Sequence, residues 1–535
     1  MQRIGSVANV NSQEFRRNDL HNRQLAAELK ERQRVARFHR PERDFERLRR
    51  QNKLFVRERL AALLDPETPF LELSTLAANK AYDGEVPGAA QVVGIGIVAG
   101  REVIVHADDA SVKSGAWYPL SVKKIVRALD IAIENRLPVV HLCDCAGGFL
   151  PLQAEFFADR YHAGRILRNQ SVLSKMGVPQ VAIVMGHCTA AGAYVPALSE
   201  YNIIVEGTGA IFLGGPPVVK AATGEQVSAE ELGGALMHTS VSGTSDYFAS
   251  SEIHAIAIAR DVVARFHQPA KTSIDRVAPE PPAYSASELY GIIPKDTRAQ
   301  FDMREIIARL VDGSRFQEYQ PRYATSLVCG FARLHGYQIG ILANNGVLFG
   351  DSALKGAHFI QLCDKNRTPL LFLQNVTGFM VGREYERRGI TKDGAKLIMA
   401  VSGASVPKFT VVCNSSHGAG TYAMSGRAFD PRFVFSWPNS QISAMGADQA
   451  AGVLTHVKAR QLARAGGRLS DQELAAIRAP ILEEYRERSS AYYATSEIWD
   501  DGILDPVDTR TALAIALSAS LNAPIDAPQY GVFRL

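Results

Sequence analysis

Two pairs of similar segments organise this chain. Residues 135–142 read NRLPVVHL, and residues 366–373 read NRTPLLFL. Farther along, residues 178–184 read VPQVAIV, and residues 406–412 read VPKFTVV. The first two segments lie 231 residues apart and the second two lie 228 residues apart. Because a nearly constant separation indicates internal repetition, the chain is predicted to contain a duplicated domain.

Around these segments each copy alternates between helical and strand patterns. Residues Ser121 to Asn135 are predicted to form an amphipathic helix. Residues Val181 to Met185 form a continuous apolar run, typical of a strand that is buried on both faces. The apolar face of the helix consists of Val122, Ile125, Val126, Leu129 and Ile133. Alternating elements of this kind predict an α/β fold built from layered βαβ units.

Composition restricts the class of protein. Of 535 residues, 46% are hydrophobic and 21% are charged, which fits a globular chain and excludes a disordered or collagen-like one. No apolar run approaches the roughly 18 residues of a membrane span, and residues 1–15 lack the apolar centre of a secretory signal. Six cysteines are too few for a disulfide framework. We therefore expect a protein of the reducing cytosol.

A stretch rich in proline marks the predicted boundary between the two copies. It runs from Gln268 to Pro294 and holds five prolines in a polar context. We therefore expect an N-terminal domain at residues 25–275 and a C-terminal domain at residues 285–530. The region from Ala447 to Ala494 is rich in Ala, Leu and Arg and is predicted to be helical, closing the second domain.

Residues 1–60 form a distinct basic arm. The net charge of the chain is +4, yet from Arg16 to Arg59 fifteen Lys and Arg residues stand against seven Asp and Glu. Apolar residues interleave with these charges at nearly helical spacing, namely Leu25, Leu29, Leu48, Phe55 and Leu60. We favour a solvated helical arm that packs on the body. Contact with a phosphorylated ligand is the alternative, and no nucleic-acid partner is expected.

The segment after the second strand of each copy carries the chemical signal. Residues 190–194 read AAGAY and residues 418–422 read GAGTY, with no acidic or basic side chain. A strand that turns into a helix here exposes adjacent backbone N–H groups, and small side chains allow a ligand atom to approach them. Such donors can hold a developing oxyanion, for example a thioester enolate. Tight helix–strand packing is the alternative, but two matched copies favour two oxyanion holes.

Other catalytic groups are not evident in the sequence. Cys143 and Cys145 form a C-x-C without a second pair, so buried thiols are expected rather than a zinc site, and no metal is predicted. His187 and Cys188 are neighbours on a strand and should point to opposite faces, which disfavours a nucleophilic dyad. His417 precedes the second loop, and we interpret it as a residue leading into a helix rather than as a base.

Five longer segments carry a resemblance to a known family. They span residues 53–73, 186–196, 211–234, 414–424 and 430–445. Both halves resemble the carboxyltransferase (β) subunit of biotin-dependent acyl-CoA carboxylases. The segment at 211–234 and the Gly-Ala-Gly loop look most like the methylcrotonyl-CoA and geranyl-CoA branch.

The resemblance implies a fold and a reaction. The fold would be two tandem crotonase-like domains of the ClpP/crotonase type, each a ββα superhelix. The reaction would move the carboxyl group from carboxybiotin to an α,β-unsaturated branched acyl-CoA. By the same resemblance, Ala191 and Gly192 would hold the enolate oxygen of the thioester, and Ala419 and Gly420 would hold the ureido oxygen of biotin. The biotin nitrogen can take the substrate proton, which agrees with the lack of a side-chain base.

Further site residues follow from the resemblance. On the acyl-CoA side they are Gly147, Gly148, Phe149, Ala163 and Ala190. On the biotin side they are Gly378, Phe379, Val381, Gly382 and Gly418.

The resemblance constrains the acyl group of the substrate less than it constrains the reaction. Ala163 stands where methylcrotonyl-CoA enzymes look aromatic, so we expect a pocket open to a geranyl-CoA-like or other extended acyl chain. One alternative is a methylcrotonyl-CoA carboxylase β subunit whose pocket is closed by Phe149. A decarboxylase subunit that runs the transfer in reverse with a membrane partner is an alternative of another class. A non-catalytic scaffold is disfavoured because both small-residue loops are present.

The resemblance also implies partners. The chain has no biotinylation motif and no ATP-binding loop, so biotin would be carried by a separate biotin carboxylase/biotin carrier α subunit. We expect a homohexameric core within an α6β6 holoenzyme, with active sites where the first domain of one subunit meets the second domain of another. No membrane association is expected. The bacterial cytoplasm is favoured over the mitochondrial matrix.

Overall fold

Two eight-stranded sheets form the frame of the protein, in a computed structural model that describes residues 1–464 and 470–535. The strands are β1 (Gln2–Arg3), β2 (Leu71–Leu73), β3 (Gln91–Val98), β4 (Arg101–Asp108), β5 (Val139–Cys145), β6 (Gln180–Thr189), β7 (Tyr201–Val205), β8 (Ala210–Phe212), β9 (Tyr247–Ala249), β10 (Arg315–Tyr319), β11 (Leu327–Leu334), β12 (Tyr337–Asn344), β13 (Leu370–Val376), β14 (Lys408–His417), β15 (Phe433–Ser436) and β16 (Gln441–Ser443).

Helices cover both sheets. They are α1 (Gln13–Phe38), α2 (Glu42–Arg50), α3 (Val56–Leu63), α4 (Pro119–Asn135), α5 (Ala163–Lys175), α6 (Tyr194–Ala197), α7 (Pro216–Thr223), α8 (Ala229–Gly233), α9 (Ala235–Ser240), α10 (Glu252–Ala264), α11 (Leu289–Ile292), α12 (Met303–Leu310), α13 (Gly350–Lys365), α14 (Arg383–Arg387), α15 (Ile390–Gly403), α16 (Ala419–Ala423), α17 (Ala447–Arg464), α18 (Asp471–Ser489), α19 (Ala491–Ser496) and α20 (Thr509–Ser520).

The two sheets share the same order of six central strands. The first runs β2-β3-β4-β5-β6-β7-β9, and β8 pairs with the end of β6. The second runs β1-β10-β11-β12-β13-β14-β15, and β16 pairs with the end of β14. Strands β2, β3 and β4 of the first sheet, and β10, β11 and β12 of the second, are antiparallel and lead into a parallel set. The first sheet adds β9 parallel to β7, and the second adds β1 antiparallel to β10. The predicted duplication is therefore confirmed, and the mixed α/β architecture is that expected of tandem crotonase-like domains.

The central elements lie close to their predicted positions. Helix α4 begins two residues before Ser121, because Pro119 suits the first turn of a helix, and it ends where Arg136 adopts a left-handed φ of 49°. Strand β6 is longer than the predicted run from Val181 to Met185, since Gln180 pairs with β5 and residues 187–189 pair with β8.

The basic arm is helical and packs on the junction between the halves. In α1 the Asn22 side-chain amide donates to the carbonyl oxygens of Tyr290 and Ile293, both at 2.8 Å. Asn18 donates to Gly291 O at 3.3 Å. The buried face of α1 is thus anchored to α11.

The predicted helical region after Ala447 consists of three helices, α17, α18 and α19, and residues 465–469 within it lie outside the described part of the chain. Ser470 caps α18 in a capping box with Glu473. Across the described residues, no helix is both long enough and apolar enough to cross a membrane.

One hydrophobic core crosses the boundary between the halves. Helix α20, at the end of the chain, contributes Leu513 and Leu517 to the same buried cluster as Ile125 and Leu129 of α4. A buried ion cluster lies at this junction. The Asp501 carboxylate accepts from Arg127 of the first half at 2.9 Å and from Arg427 of the second half at 2.8 Å. The two domains therefore fold against each other.

Candidate active site

The first small-residue loop begins where β6 ends. A 3₁₀ turn occupies Ala190–Ala193 and continues into α6. Ala190 has a φ of 54°, so the chain turns sharply at this residue. A Cβ on Gly192 would lie 3.4 Å from Cys145 Sγ, which places the loop directly on the end of β5. The N–H groups at the start of this turn have no intrahelical acceptor.

The turn after β5 lies beside this loop and is fixed by Trp117. The Trp117 N–H donates to Gly147 O, and the Phe149 N–H donates to Trp117 O, both at 2.9 Å. A Cβ on Gly147 would lie 3.5 Å from Thr189 O. The structure therefore places the turn that contains Gly147, Gly148 and Phe149 beside the first loop.

Ala163 is joined to this turn through Phe156. Ala163 is the first residue of α5, and its N–H donates to Phe156 O at 2.8 Å. The Phe156 ring in turn lies against Gly148, where a Cβ would be only 2.8 Å from it. The Ala163 side chain is buried in the core cluster. The Phe149 ring instead stacks on the Tyr118 ring, with ring centroids 4.4 Å apart.

The second half repeats this arrangement down to its hydrogen bonds. The Leu348 N–H donates to Gly378 O at 3.0 Å, and the Met380 N–H donates to Leu348 O at 2.8 Å. These residues stand 231 positions after Trp117, Gly147 and Phe149. The second loop follows the end of β14, and its first residue, Gly418, has a φ of 59°. The duplication thus extends to the two candidate loops.

Gly420 sits in a space that admits no side chain. A Cβ there would lie 2.6 Å from Val376 Cγ2 and 3.3 Å from Gly378 Cα. Ala419 and Gly420 occupy the first turn of α16, so their N–H groups have no intrahelical acceptor. The loop therefore offers backbone N–H donors of the kind that an oxyanion site uses, and it is packed closely on the turn after β13.

The remaining predicted residues of the second half frame this loop from one side. Phe379 packs on α15, where a Cβ on Gly394 would lie 3.1 Å from its ring. Val381 is exposed, and Gly382 caps α14 with a φ of 132°. A cavity of about 580 Å³ lies nearby and is lined by Phe349 and Tyr385 among others.

A second cavity, of about 490 Å³, reaches the strand ends beside the second loop, where Thr377, Ser415 and His417 line it. The His417 Nδ1 lies 2.9 Å from Ser443 Oγ. Burial lowers the pKa of His417, so its imidazole is neutral at pH 7. This environment agrees with a residue that leads into the loop.

The cysteines are not placed for catalysis. All six are free and buried, and burial and the neighbouring Cys143 raise the pKa of Cys188 well above its ordinary value. His187 is exposed while Cys188 is buried, as expected for neighbours on a strand. Within residues 1–464 and 470–535, no group of three or more His, Cys, Asp or Glu side chains is arranged to hold a metal ion.

A buried ionic network beneath the first loop was not predicted. The Asp144 carboxylate accepts from Lys53 Nζ at 2.8 Å and from Arg59 Nη2 at 3.0 Å. Arg59 also pairs with Glu252, and Asp108 binds the backbone N–H of Asp144. The available signal was a pair of acidic residues at the end of the apolar strand β4, but a strand pattern alone does not assign a partner to them.

Comparison with known proteins places these features in a family. The family model described as a carboxyl transferase domain matches residues 47–531. The chain is 51% identical over 515 residues to the biotin-dependent 3-methylcrotonyl-coenzyme A carboxylase beta1 subunit of Mycobacterium tuberculosis, covering 96% of this chain and 97% of that protein.

Two further relatives agree. The mitochondrial methylcrotonoyl-CoA carboxylase beta chain of Arabidopsis thaliana is 50% identical over 495 residues, which cover 91% of this chain and 84% of that protein. The crystal structure of the geranyl-CoA carboxylase beta subunit of P. aeruginosa superposes with a TM-score of 0.89 at 40% identity, covering 99% of each chain.

Proposed function

Since the chain belongs to the carboxyl transferase domain family, as a β subunit of the biotin-dependent acyl-CoA carboxylases, we propose that it transfers a carboxyl group from carboxybiotin to an α,β-unsaturated branched acyl-CoA. One observation carries the proposal. Two loops of small residues follow matched strands of the two halves, and the turn beside each loop is held by the same pair of backbone hydrogen bonds. A reaction between two carbonyl-like groups, each of which develops negative charge on oxygen, requires two such sites.

In the first half, the N–H groups of Ala191 and Gly192 bind the thioester oxygen as the enolate forms. Gly147 and Gly148 lie at the adjacent turn and leave room for the thioester, with Ala190 and Phe149 at its edges. These donors lie in a short turn at the start of a helix, where negative charge is favoured. The contribution of this half is electrostatic and needs no side-chain acid or base.

In the second half, the N–H groups of Ala419 and Gly420 bind the ureido oxygen of biotin. The residues fit this group, because Ala419 and Gly420 lie in the first turn of α16 and their N–H groups have no intrahelical acceptor. Gly378, Phe379, Val381, Gly382 and Gly418 line the same side. Carboxybiotin supplies the activated carboxyl group. The chain orients it and stabilises negative charge on the ureido oxygen.

The proposal includes partners. Biotin is carried by a biotin carboxylase/biotin carrier α subunit, and six copies of this chain form the core of an α6β6 assembly. Support for self-association comes from exposed apolar residues after the strand ends of both halves. They are Leu213 and Val218 in the first half and Val453, Leu454 and Val457 on α17 in the second half.

Two acyl groups compete as the natural substrate. The small side chain at Ala163, joined to Gly148 through Phe156, supports an extended chain such as a geranyl group. The relatives with 51% and 50% identity are named as methylcrotonyl-CoA enzymes, and this supports the short branched substrate as the second candidate. Phe149 stacks on Tyr118, so it is not free to close a pocket.

The test is a holoenzyme assembled from this chain and its α subunit, assayed with geranyl-CoA and methylcrotonyl-CoA side by side. We expect Ala163→Phe to lower kcat/KM for geranyl-CoA roughly ten- to hundredfold while sparing methylcrotonyl-CoA. Gly164→Ala is the matched control, because a Cβ there meets nothing within 4 Å. An unchanged ratio between the two substrates would refute the extended acyl chain. An assembled holoenzyme that carboxylates no acyl-CoA would refute the proposed function.

A further inference from the structure

The duplication allows each position of the first half to be compared with its counterpart in the second. In the first sheet Asp108 pairs with Gln91, and in the second sheet Asn344 pairs with Leu327 at the same register. Trp117 bridges to Gly148 in the same way that Leu348 bridges to Phe379. The second half therefore serves as an internal reference for what the fold itself requires.

In the first half, Asp108 collects three hydrogen bonds. Its Oδ1 accepts from Trp117 Nε1 at 3.2 Å and from Gln91 Nε2 at 2.9 Å. Its Oδ2 accepts from the backbone N–H of Asp144 at 3.0 Å. The side chain is buried. A single carboxylate thus joins the end of β4, the end of β5 and the Trp117 segment.

The second half forms the same turn without this carboxylate. Leu327 and Leu348 replace Gln91 and Trp117 and have no side-chain donor. Asn344 replaces Asp108, and within the described residues neither its Oδ1 nor its Nδ2 has a hydrogen-bond partner. The backbone bonds at Leu348 nevertheless persist. The fold therefore does not require the Asp108 cluster, and its presence in the first half calls for a functional reason.

The cluster acts on the turn that faces the acyl-CoA. The backbone of Trp117 holds Gly147 and Phe149, and the Asp108 carboxylate fixes the indole of the same residue. A Cβ on Gly115 would lie 2.1 Å from Asp144 O, so the two segments are in close contact. The Ala146 N–H adds a bond to Ser114 O at 3.1 Å. Asp108 therefore holds both sides of the turn.

We propose that Asp108 is a positioning residue for the acyl-CoA-side turn at residues 147–149, acting through Trp117 and the backbone of Asp144. This rests on the proposed function of the first half. The thioester must be held against the N–H donors of Ala191 and Gly192, and a mobile turn at residues 147–149 would let it move away from them. The biotin side relies on its own turn, which has no such carboxylate, and it should not depend on Asp108.

The experiment uses full-length Asp108→Asn in the assembled holoenzyme. Asparagine has nearly the same shape as aspartate, but an NH2 group replaces one of the two carboxylate oxygens. This NH2 group is a donor and would face N–H groups that donate to Asp108. We expect KM for acyl-CoA to rise roughly tenfold. KM for the carboxylated carrier should stay within about twofold, because the substitution does not touch the second half. Asn344→Leu is the matched control in the second half and should leave both KM values unchanged. Trp117→Phe removes the indole donor alone and should reproduce the effect if Asp108→Asn does not fold.

A second readout does not depend on activity. Hydrogen exchange at Phe149 N–H should accelerate in Asp108→Asn, while exchange at Met380 N–H should not. Equal rises in both KM values, or a loss of kcat alone, would overturn the inference, as would unchanged exchange at Phe149. A wild-type holoenzyme without acyl-CoA carboxylation would instead refute the proposed function, and the exchange result would still decide the role of Asp108.

Discussion

At Gly420 the room for a side chain is already filled by Val376 and Gly378. Gly420→Ala should therefore displace the loop and misplace its N–H donors. We expect kcat to fall by roughly a hundred- to a thousandfold, the effect of losing one oxyanion donor. Gly452→Ala in α17 is the control, because a Cβ there meets nothing within 4 Å. Steady-state kinetics of the assembled enzyme measure both, and full activity of Gly420→Ala would contradict the second oxyanion hole.

His417 and Cys188 test the opposite expectation. The proposed mechanism assigns no proton transfer to either residue, since His417 is hydrogen-bonded to Ser443 and Cys188 is a buried thiol. His417→Ala and Cys188→Ala should both retain most of the wild-type kcat. General-base catalysis typically contributes a factor of about 10²–10⁴. A roughly thousandfold loss in His417→Ala with intact assembly would thus contradict a mechanism based on backbone donors.

The kcat/KM for acyl-CoA is also expected to depend on pH through Asp108. Burial raises the pKa of Asp108 to about 6. The groups that face it are Asp144, which is paired with Lys53 and Arg59, and His106, whose pKa is lowered to about 4 by burial. Protonation of Asp108 below pH 6 removes an acceptor, so kcat/KM for acyl-CoA should fall as the pH drops through 6. Asp108→Asn should abolish this pH-dependent fall, and a wild-type profile that stays flat from pH 5 to 7 would contradict it.

At the level of elements, hydrophobic pattern predicted the strands and helices that are long and buried. Helix α4 lies close to its expected bounds, and strand β6 contains the whole predicted apolar run, because continuous or periodic apolar runs determine both elements. The short strands β8 and β16 have three residues each and exist through pairing with the ends of β6 and β14. A pairing partner distant in sequence leaves no local pattern, so neither was predicted.

The candidate loops were predictable, whereas the residues that hold them were not. Two copies of small residues after matched strands identify the loops from sequence alone. The contacts of Asp108 with Trp117 and of Ala163 with Phe156 depend on tertiary packing. Such contacts join residues of different elements or loops, so the periodic pattern of a single helix or strand does not reveal them.

Helix α4 is anchored by a buried lysine that recurs in the second half. Lys124 Nζ donates to the carbonyl oxygens of Ser74, Gly88 and Gln91 at 2.8–3.0 Å. Lys355 of α13, 231 positions later, donates to two loop carbonyls in the same manner.

Lys124→Met should leave these carbonyls buried and unpaired, and the free energy of unfolding should fall by about 3 kcal/mol. Lys123→Met is the adjacent control, since the exposed Lys123 makes one hydrogen bond, from its Nζ to Glu497 O at 2.6 Å, and its loss should cost only about 1 kcal/mol. Urea unfolding followed by circular dichroism measures both. Equal effects of the two substitutions would contradict an anchoring role for Lys124.

At the scale of the whole molecule, the halves are joined by Asp501. The Arg127 and Arg427 guanidinium groups hold the pKa of this buried carboxyl well below its ordinary value. Its contribution to stability is therefore present above the unfolded-state pKa of about 3.9 and is lost as the pH falls below it.

Asp501→Asn should lower the free energy of unfolding by about 3–5 kcal/mol at pH 7, and the difference from wild type should shrink below pH 4. Glu384→Gln breaks the exposed pair with Arg388 and should cost at most about 1 kcal/mol. A pH-independent difference for Asp501→Asn would contradict the assigned charge state.

The predicted duplication agrees with the structure of the two sheets. It does not describe how the two halves pack at the boundary between them. The prolines from Gln268 to Pro294 lie between α10 and α12, but the hydrophobic core continues across this stretch. A composition change shows where a chain leaves regular structure. It does not show whether the flanking domains pack together.

Because the two halves share a core, the first half cannot be fully packed until the end of the chain has been synthesised. Helix α20, which covers α4, is translated roughly 390 residues after it. At the usual translation rate of about 5–20 residues per second, α4 waits about 20–80 s for this cover. The nascent first half therefore leaves the ribosome with an uncovered apolar surface. Its protection by a chaperone, rather than the folding rate of either domain, should set the yield of native chain.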